Sequence, residues 1–180
     1  MAVPRAYAVP PQFDLNLFYF SDNFTYSDVA SSYTRMMWDL SVGIPVTKKK
    51  RWIVGWNYSS YTMTESPASE ETSLVITDMG PKVIYYLEKA RNWQAAVTYN
   101  LIGRANYTAP GAEATELRGT SYKFEIGYLG QMWDKVFMGA KINYYSASFA
   151  EEISGETSIE KVTHGRAVIY PSFAMTIRWE

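Results

Sequence analysis

A period of two runs through this chain, and it restricts the fold more than any other feature. From Tyr33 the sequence reads Tyr-Thr-Arg-Met-Met-Trp-Asp-Leu-Ser-Val-Gly-Ile-Pro-Val. Met36, Trp38, Leu40, Val42, Ile44 and Val46 share one parity, while Arg35, Met37, Asp39, Ser41 and Gly43 share the other. Successive side chains of a strand point to opposite faces, so this spacing predicts a strand with one apolar and one polar face. The end of the chain repeats the pattern. Ala167, Ile169, Pro171, Phe173, Met175, Ile177 and Trp179 fall on one face, with Arg166, Ser172, Thr176 and Arg178 on the other. Pro171 is at odds with a strand interior, because it has no N–H to give to a ladder.

Six further segments alternate in the same way. They begin at Phe13 (Leu15, Leu17 and Tyr19 against Asp14 and Asn16), at Trp52 (Val54, Trp56 and Tyr58 against Asn57 and Ser59) and at Met79 (Pro81, Val83 and Tyr85 against Gly80, Lys82 and Glu88). The others begin at Trp93 (Ala95, Val97, Tyr99 and Leu101 against Gln94, Thr98, Asn100 and Arg104), at Tyr122 (Phe124, Ile126 and Tyr128 against Lys123 and Glu125) and at Met138 (Ala140, Ile142 and Tyr144 against Lys141 and Asn143). No composition break divides the chain. The prediction is one all-β domain over residues 13–180: an eight-stranded antiparallel up-and-down barrel, preceded by an N-terminal segment, residues 1–12.

The connections alternate as well. Thr47–Lys50, Lys89–Asn92 and Gly130–Lys135 are short, whereas Ser21–Ser32, Glu65–Thr72, Thr108–Leu117 and Ala150–Lys161 read as longer polar loops. Short turns at one end and long loops at the other are the habit of barrels in outer membranes, with both termini on the periplasmic, short-turn side. Met1-Ala-Val-Pro-Arg5 has no apolar core of the kind a signal peptide carries, so the sequence reads as a mature form.

Alternation alone leaves open which face is inside. A soluble lipocalin-like barrel puts its apolar row inward. The lumen of an eight-stranded barrel is only wide enough to be filled by side chains. Trp38, Trp52, Trp56, Trp93, Phe124 and Phe173 are too bulky for it, whereas the polar row carries Gly43, Gly55, Gly80, Gly127 and Gly139. The expectation is therefore an inside-out barrel with a polar, side-chain-filled interior, its apolar row in contact with lipid or detergent. The 15 Tyr, 8 Phe and 6 Trp agree with aromatic girdles at two membrane surfaces. Trp52, Trp93, Trp133 and Trp179 fall at the periplasmic rim, and Tyr26, Tyr33, Tyr61, Tyr107 and Tyr144 toward the other. A preference of aromatic residues for strands is the plainer explanation, but it does not predict clustering at rims.

With these residues in view, the chain resembles the small eight-stranded outer-membrane barrels of the OmpA/OmpX type, over Phe13 to Trp179 and without a following periplasmic domain. Phe173, Met175, Ile177 and Trp179 look like that family's C-terminal assembly signal. The resemblance implies the outer membrane of a Gram-negative bacterium, with the barrel-assembly machinery as a partner. Glu180 departs from the pattern, since the family usually ends on the aromatic residue itself.

The polar row would hold Arg35, Asp39, Lys82, Glu88, Arg104, Lys123, Glu125, Lys141, Arg166 and Arg178 in the lumen. Buried charges must pair, so the expectation is an internal salt-bridge network that plugs the barrel; a gate for small ions is the sharper alternative. Ile53, Ile84, Tyr86, Ile102, Leu129 and Tyr145 make the inward row partly apolar, which suits a narrow transport barrel for a small hydrophobic molecule. A lipid A acyl-modifying enzyme would have to use His164, the only histidine, with Ser60, Ser73 or Ser146 at similar depth. No Gly-x-Ser-x-Gly elbow accompanies them. The reading assigns no catalytic, cofactor-binding or metal-binding residue: Cys is absent and no acidic calcium loop occurs. A net charge of −1 gives no reason to expect nucleic acid. Glu65, Glu70, Glu71, Glu113, Glu116, Glu151, Glu152, Glu156 and Glu160 make the long loops acidic, whereas Lys48, Lys49, Lys50, Arg51, Lys89, Arg91 and Lys135 make the short turns basic. An extracellular partner at the acidic loops follows as an expectation, within a structural or surface-interaction role.

Overall fold

A computed structural model describes residues 10–26, 29–67, 71–112, 114–154 and 158–179. The alternating segments form β1 (Gln12–Tyr26), β2 (Val29–Pro45), β3 (Trp52–Pro67), β4 (Thr72–Tyr86), β5 (Trp93–Thr108), β6 (Thr115–Gln131), β7 (Val136–Ser154) and β8 (Ser158–Ile177). Each strand pairs antiparallel with the next, and β8 returns to β1 to close a barrel. Most of the expected segment 1–12 lies outside the described residues. Its last member, Gln12, is already buried in β1.

Two of the four polar segments at the far end, Ser21–Ser32 and Ala150–Lys161, are not the long loops expected from the sequence. β1 runs to Tyr26 and β2 starts at Val29; β7 runs to Ser154 and β8 starts at Ser158. The first stretch carries Phe24, Thr25 and Tyr26 and the second Ile153 and Ile159, residue types that suit a pleated ladder, so pairing continues past the apolar band instead of giving way to loop. The short-turn end is as predicted and reuses one device. Lys50 donates its N–H to Thr47 O and Arg91 to Glu88 O. Each then takes a left-handed backbone, with φ of 51° and 59°. Both described chain ends lie here, where the Arg178 N–H bonds Lys135 O.

Exposure follows the two-residue rhythm. Asp39 is 2% exposed, and Leu40 beside it 46%. The outer row is apolar and the buried row largely polar, the reverse of a soluble barrel. Glycine lets the inner wall close tightly: a Cβ on Gly55 would lie 2.1 Å from Val42 O of the neighbouring strand, where Gly43 and Gly55 are paired.

One bulge overturns part of the predicted parity. Opposite β4 the register steps from Met79↔Ile102 to Lys82↔Thr98, and opposite β6 from Asn100↔Ser121 to Gly103↔Gly119. Both neighbours meet one extra residue in β5, between Thr98 and Ile102 on the β4 side and between Asn100 and Gly103 on the β6 side. Leu101 and Ile102 therefore both face outward, and Gly103 and Ala105 turn inward. Arg104 is exposed on the outer face, so it does not belong to the lumen, and neither does Ile102.

Candidate functional site

The lumen is filled in three layers, and the residues that line it come from every strand. At the short-turn end Ile53, Ile84, Tyr86 and Ala96 form one apolar cluster, and Leu129, Phe137 and Ala174 another. Arg178 closes this base. Its guanidinium donates to the carbonyls of Arg91 and Ala90 and lies 3.5 Å from the Phe137 ring centre.

Charge fills the waist. Lys123 and Glu125 are two apart in β6 and so share the inner face. Lys123 Nζ lies 2.6 Å from Asp39 Oδ2 and 2.6 Å from Glu125 Oε1. Lys82 reaches Glu125 at 3.0 Å and Asp39 at 3.5 Å, and Lys141 reaches Glu125 at 3.2 Å. Asn16 donates to Asp39 Oδ1 at 2.7 Å. A Cβ on Gly127 would lie 2.5 Å from Lys141 Cγ, so the glycine makes room for that side chain. All five charged side chains are at most 3% exposed. Just below, Asp14 accepts from Gln12 and Thr176, and Gln12 also accepts from Tyr86. Carboxylates and ammonium groups interleave across β2, β4, β6 and β7, so one-residue slippage of any of them would strand a buried charge.

Above the waist the filling changes character. Met37, Tyr61, Met63, Ile76, Ala105, Tyr145, Ala147, Phe149 and Tyr170 pack together, with Phe18, Tyr33, Leu74, Leu117 and Val168 against them. One carboxylate, Asp78, enters this layer and accepts from Tyr145 Oη at 2.6 Å and Ser121 Oγ at 3.0 Å. The void between the two layers, beside Asp39, Asp78, Tyr61, Tyr145 and Tyr170, measures about 10 Å³. That is the lower limit for a single water.

Asp39, Lys82, Lys123, Glu125 and Lys141 are thus brought together, and the other predicted lumen charges are not. Arg35 lies higher, its guanidinium 4.5 Å from the Tyr33 ring centre. Arg166 donates to Tyr61 Oη at 2.7 Å, in the upper layer. Arg178 sits at the base. Glu88 lies past the end of β4, in the turn to β5, because the strand stops at Tyr86. Arg104 is outside. Asp14 and Asp78 were missed as partners. Asp78 shares the parity of Gly80 and Lys82, and extending that segment back by one residue would have found it.

Of the expected aromatic girdle, Trp52, Trp93 and Trp133 are exposed at the short-turn end. Trp52 packs on Tyr85, Trp93 on Tyr128, and Trp179 on Phe13. Phe173 faces outward, and Met175 and Ile177 continue its row. The opposite rim differs from expectation: Tyr61 is buried, Tyr33 packs on the upper cluster and Tyr107 lines the inner mouth. The Tyr26 side chain lies outside the described residues. Tyr144 stands in the outer row, as do Tyr19, Tyr58, Tyr85, Tyr99, Tyr122 and Tyr128.

His164 faces the mouth opposite Phe149, with Nε2 3.4 Å from Glu152 Oε2, in a recess of about 360 Å³ shared with Tyr107, Thr115 and Leu117. Ser60, Ser73 and Ser146 lie on the outward parity, across the wall from it. Among the described residues no three acidic or histidine side chains converge to hold a metal ion. Of the acidic residues, Glu65, Glu71, Glu116, Glu151, Glu152 and Glu160 stand at the long-hairpin end, and Glu70, Glu113 and Glu156 lie outside the described residues.

No family model matches this sequence, and no curated protein matches it. Among solved structures the chain is similar to the translocator domain of the autotransporter NalP from Neisseria meningitidis, with a TM-score of 0.45 and 6% identity. The match covers 94% of this chain and 61% of that one, so the chain spans about three-fifths of its length. The closed eight-stranded antiparallel barrel rests on this chain's own ladders.

Proposed function

We propose that this chain is an integral outer-membrane barrel of the OmpA/OmpX type, with a structural or surface-interaction role, no catalysis, and a lumen closed to ions. One observation carries the proposal: the apolar row is exposed, while Asp39, Lys82, Lys123, Glu125 and Lys141 are buried within the narrow wall. In water that arrangement exposes the side chains that ought to be buried; in a bilayer both rows are satisfied. The acidic hairpin ends then face outward from the cell and the basic turns face the periplasm, with the termini. Phe173, Met175, Ile177 and Trp179 would serve recognition by the barrel-assembly machinery. Purified protein should need detergent or lipid to stay monodisperse and should migrate differently on a gel before and after heating. In planar bilayers it should give little or no conductance, because the waist has no open path. Solubility without detergent would refute membrane residence; large, steady open-channel currents would refute the plug alone.

A further inference from the structure

The barrel wall is not sealed equally at all its seams. The β1–β2 ladder runs unbroken from Gln12↔Gly43 to Tyr26↔Val29. The β7–β8 ladder runs from Val136↔Ile177 to Ser154↔Ser158. Where β1 meets β8, the ladder begins at Phe13↔Ile177 and stops at Leu17↔Phe173. Among the described residues the β1–β8 ladder does not continue past Leu17 in β1 or past Phe173 in β8. At that point lies a groove of about 540 Å³ lined by Leu17, Phe18, Tyr19, Ala140, Pro171 and Phe173, with Gly139 and Ser172 behind them. Leu17, Tyr19, Ala140, Pro171 and Phe173 belong to the outer row, and Phe18 and Ser172 to the inner one. The groove therefore cuts into the wall. Its inner end is the Phe18 ring, 5.5 Å from that of Tyr170, and both rings belong to the upper apolar layer.

We infer that this seam is a lateral site for one acyl chain of an outer-leaflet amphiphile, lying between Leu17–Tyr19 and Pro171–Phe173 and stopped at the Phe18–Tyr170 pair. The inference rests on the membrane reading above and adds a ligand class and a place to it. One feature of β8 favours a hydrocarbon chain over an incoming β-strand: Pro171 has no N–H to offer to a ladder. The groove also opens within the exposed apolar surface: Ile169 above it is 71% exposed and Phe173 below it 52%. Hydrocarbon meets it on the outside and an apolar layer on the inside, so a chain entering the groove loses contact with neither. The same geometry explains why a proline is tolerated here, since above Phe173 strand β8 is an edge strand on its β1 side.

The test uses the full chain in vesicles of phosphatidylethanolamine and phosphatidylglycerol containing a phospholipid with a photoreactive diazirine midway along one acyl chain, with labelled residues mapped by mass spectrometry. Labelling should be several-fold richer at Leu17–Tyr19 and Pro171–Phe173 than at Trp56, Val83 and Val97 on other walls, and should include the inward Phe18. Ala140→Trp, which fills the groove from the outer row, should reduce seam labelling to the level of the other walls while heat modifiability persists. Uniform labelling around the barrel would overturn the inference and leave the membrane reading standing. So would seam labelling unaffected by Ala140→Trp, or a dimer joined through β1 and β8. Labelling at no outer-row residue would remove both readings.

Discussion

The waist and the upper layer of the lumen are built from the same inward parity and do opposite things with it. At the waist, Asp39, Lys82, Lys123, Glu125 and Lys141 hold four strands in one register through groups that must find a specific partner. In the upper layer, Met37, Met63, Ile76, Ala147 and Phe149 fill the space with side chains that need only to pack, and Met in particular adapts to irregular gaps. The difference teaches where this barrel is specified and where it is merely filled. A slipped strand at the waist leaves an ammonium group alone in a dry interior, whereas a slip above it costs contact area. Consistent with that, the ladder that stops early, between β1 and β8, stops near the level of the waist, where Ser172 stands opposite Lys141.

Removing the centre of the waist should have the largest effect. Glu125 serves Lys82, Lys123 and Lys141, so Glu125→Ala leaves three buried cations around one remaining close carboxylate. The expected loss is about 3–5 kcal/mol of unfolding free energy, read by urea titration of the protein refolded in vesicles. A loss under about 1 kcal/mol would mean that water reaches the waist and screens it. Ile76→Ala, in the upper layer, removes a side chain with no exposed surface. It should cost about 2–5 kcal/mol and, unlike Glu125→Ala, leave register intact. Cross-strand disulfide trapping at paired outer positions such as Trp38 and Ser60 should separate the two cases, being unchanged by Ile76→Ala and degraded by Glu125→Ala. Tyr145→Phe is milder. It keeps the ring and takes one of the two hydroxyls that Asp78 accepts from, for about 1–3 kcal/mol.

The contrast also marks how far the sequence could be read. The two-residue period gave eight strands, their order and which row is outside, because parity is a local property of a strand. The waist was legible for the same reason: Lys123 and Glu125 in one strand, Asp39, Lys82 and Lys141 in three others, all on the polar parity. What failed was whatever depends on a break in parity or on where a strand ends. The extra residue at Leu101–Ile102 is signalled only by Gly103 beside it, an isolated glycine within a strand, and it turned Arg104 and Ile102 to the outer face. The end of β4 at Tyr86 put Glu88 in a turn, while Asp78, one residue before the segment as read, is an inner partner. Tyr61 reads as a rim aromatic in sequence, yet its parity with Asn57 and Ser59 already pointed inward. The unzipped upper seam was hinted at only by Pro171, a residue that a continuous ladder on both sides would not hold.

The smallest expected effect uses a pair in the same strand as the largest. Arg118 and Glu116 in β6 are 2.8 Å apart, as close as many buried pairs, but their side chains are 45% and 33% exposed. Lys123, farther along that strand, meets Asp39 at 2.6 Å with both side chains 3% exposed. If distance governed the energy, the two pairs would contribute alike. Water screens the outer pair, and two long side chains lose rotamer freedom to hold it, so Arg118→Ala should shift unfolding by no more than about 1 kcal/mol. Raising the salt concentration should erase even that, because exposed charges are screened within a Debye length of about 8 Å at physiological ionic strength. The Asp39–Lys123 pair should not respond to salt, since ions do not reach it. An Arg118→Ala loss as large as that of Glu125→Ala would mean that exposure does not set the energy of these pairs, and the distinction between a specified waist and a filled cap would not stand.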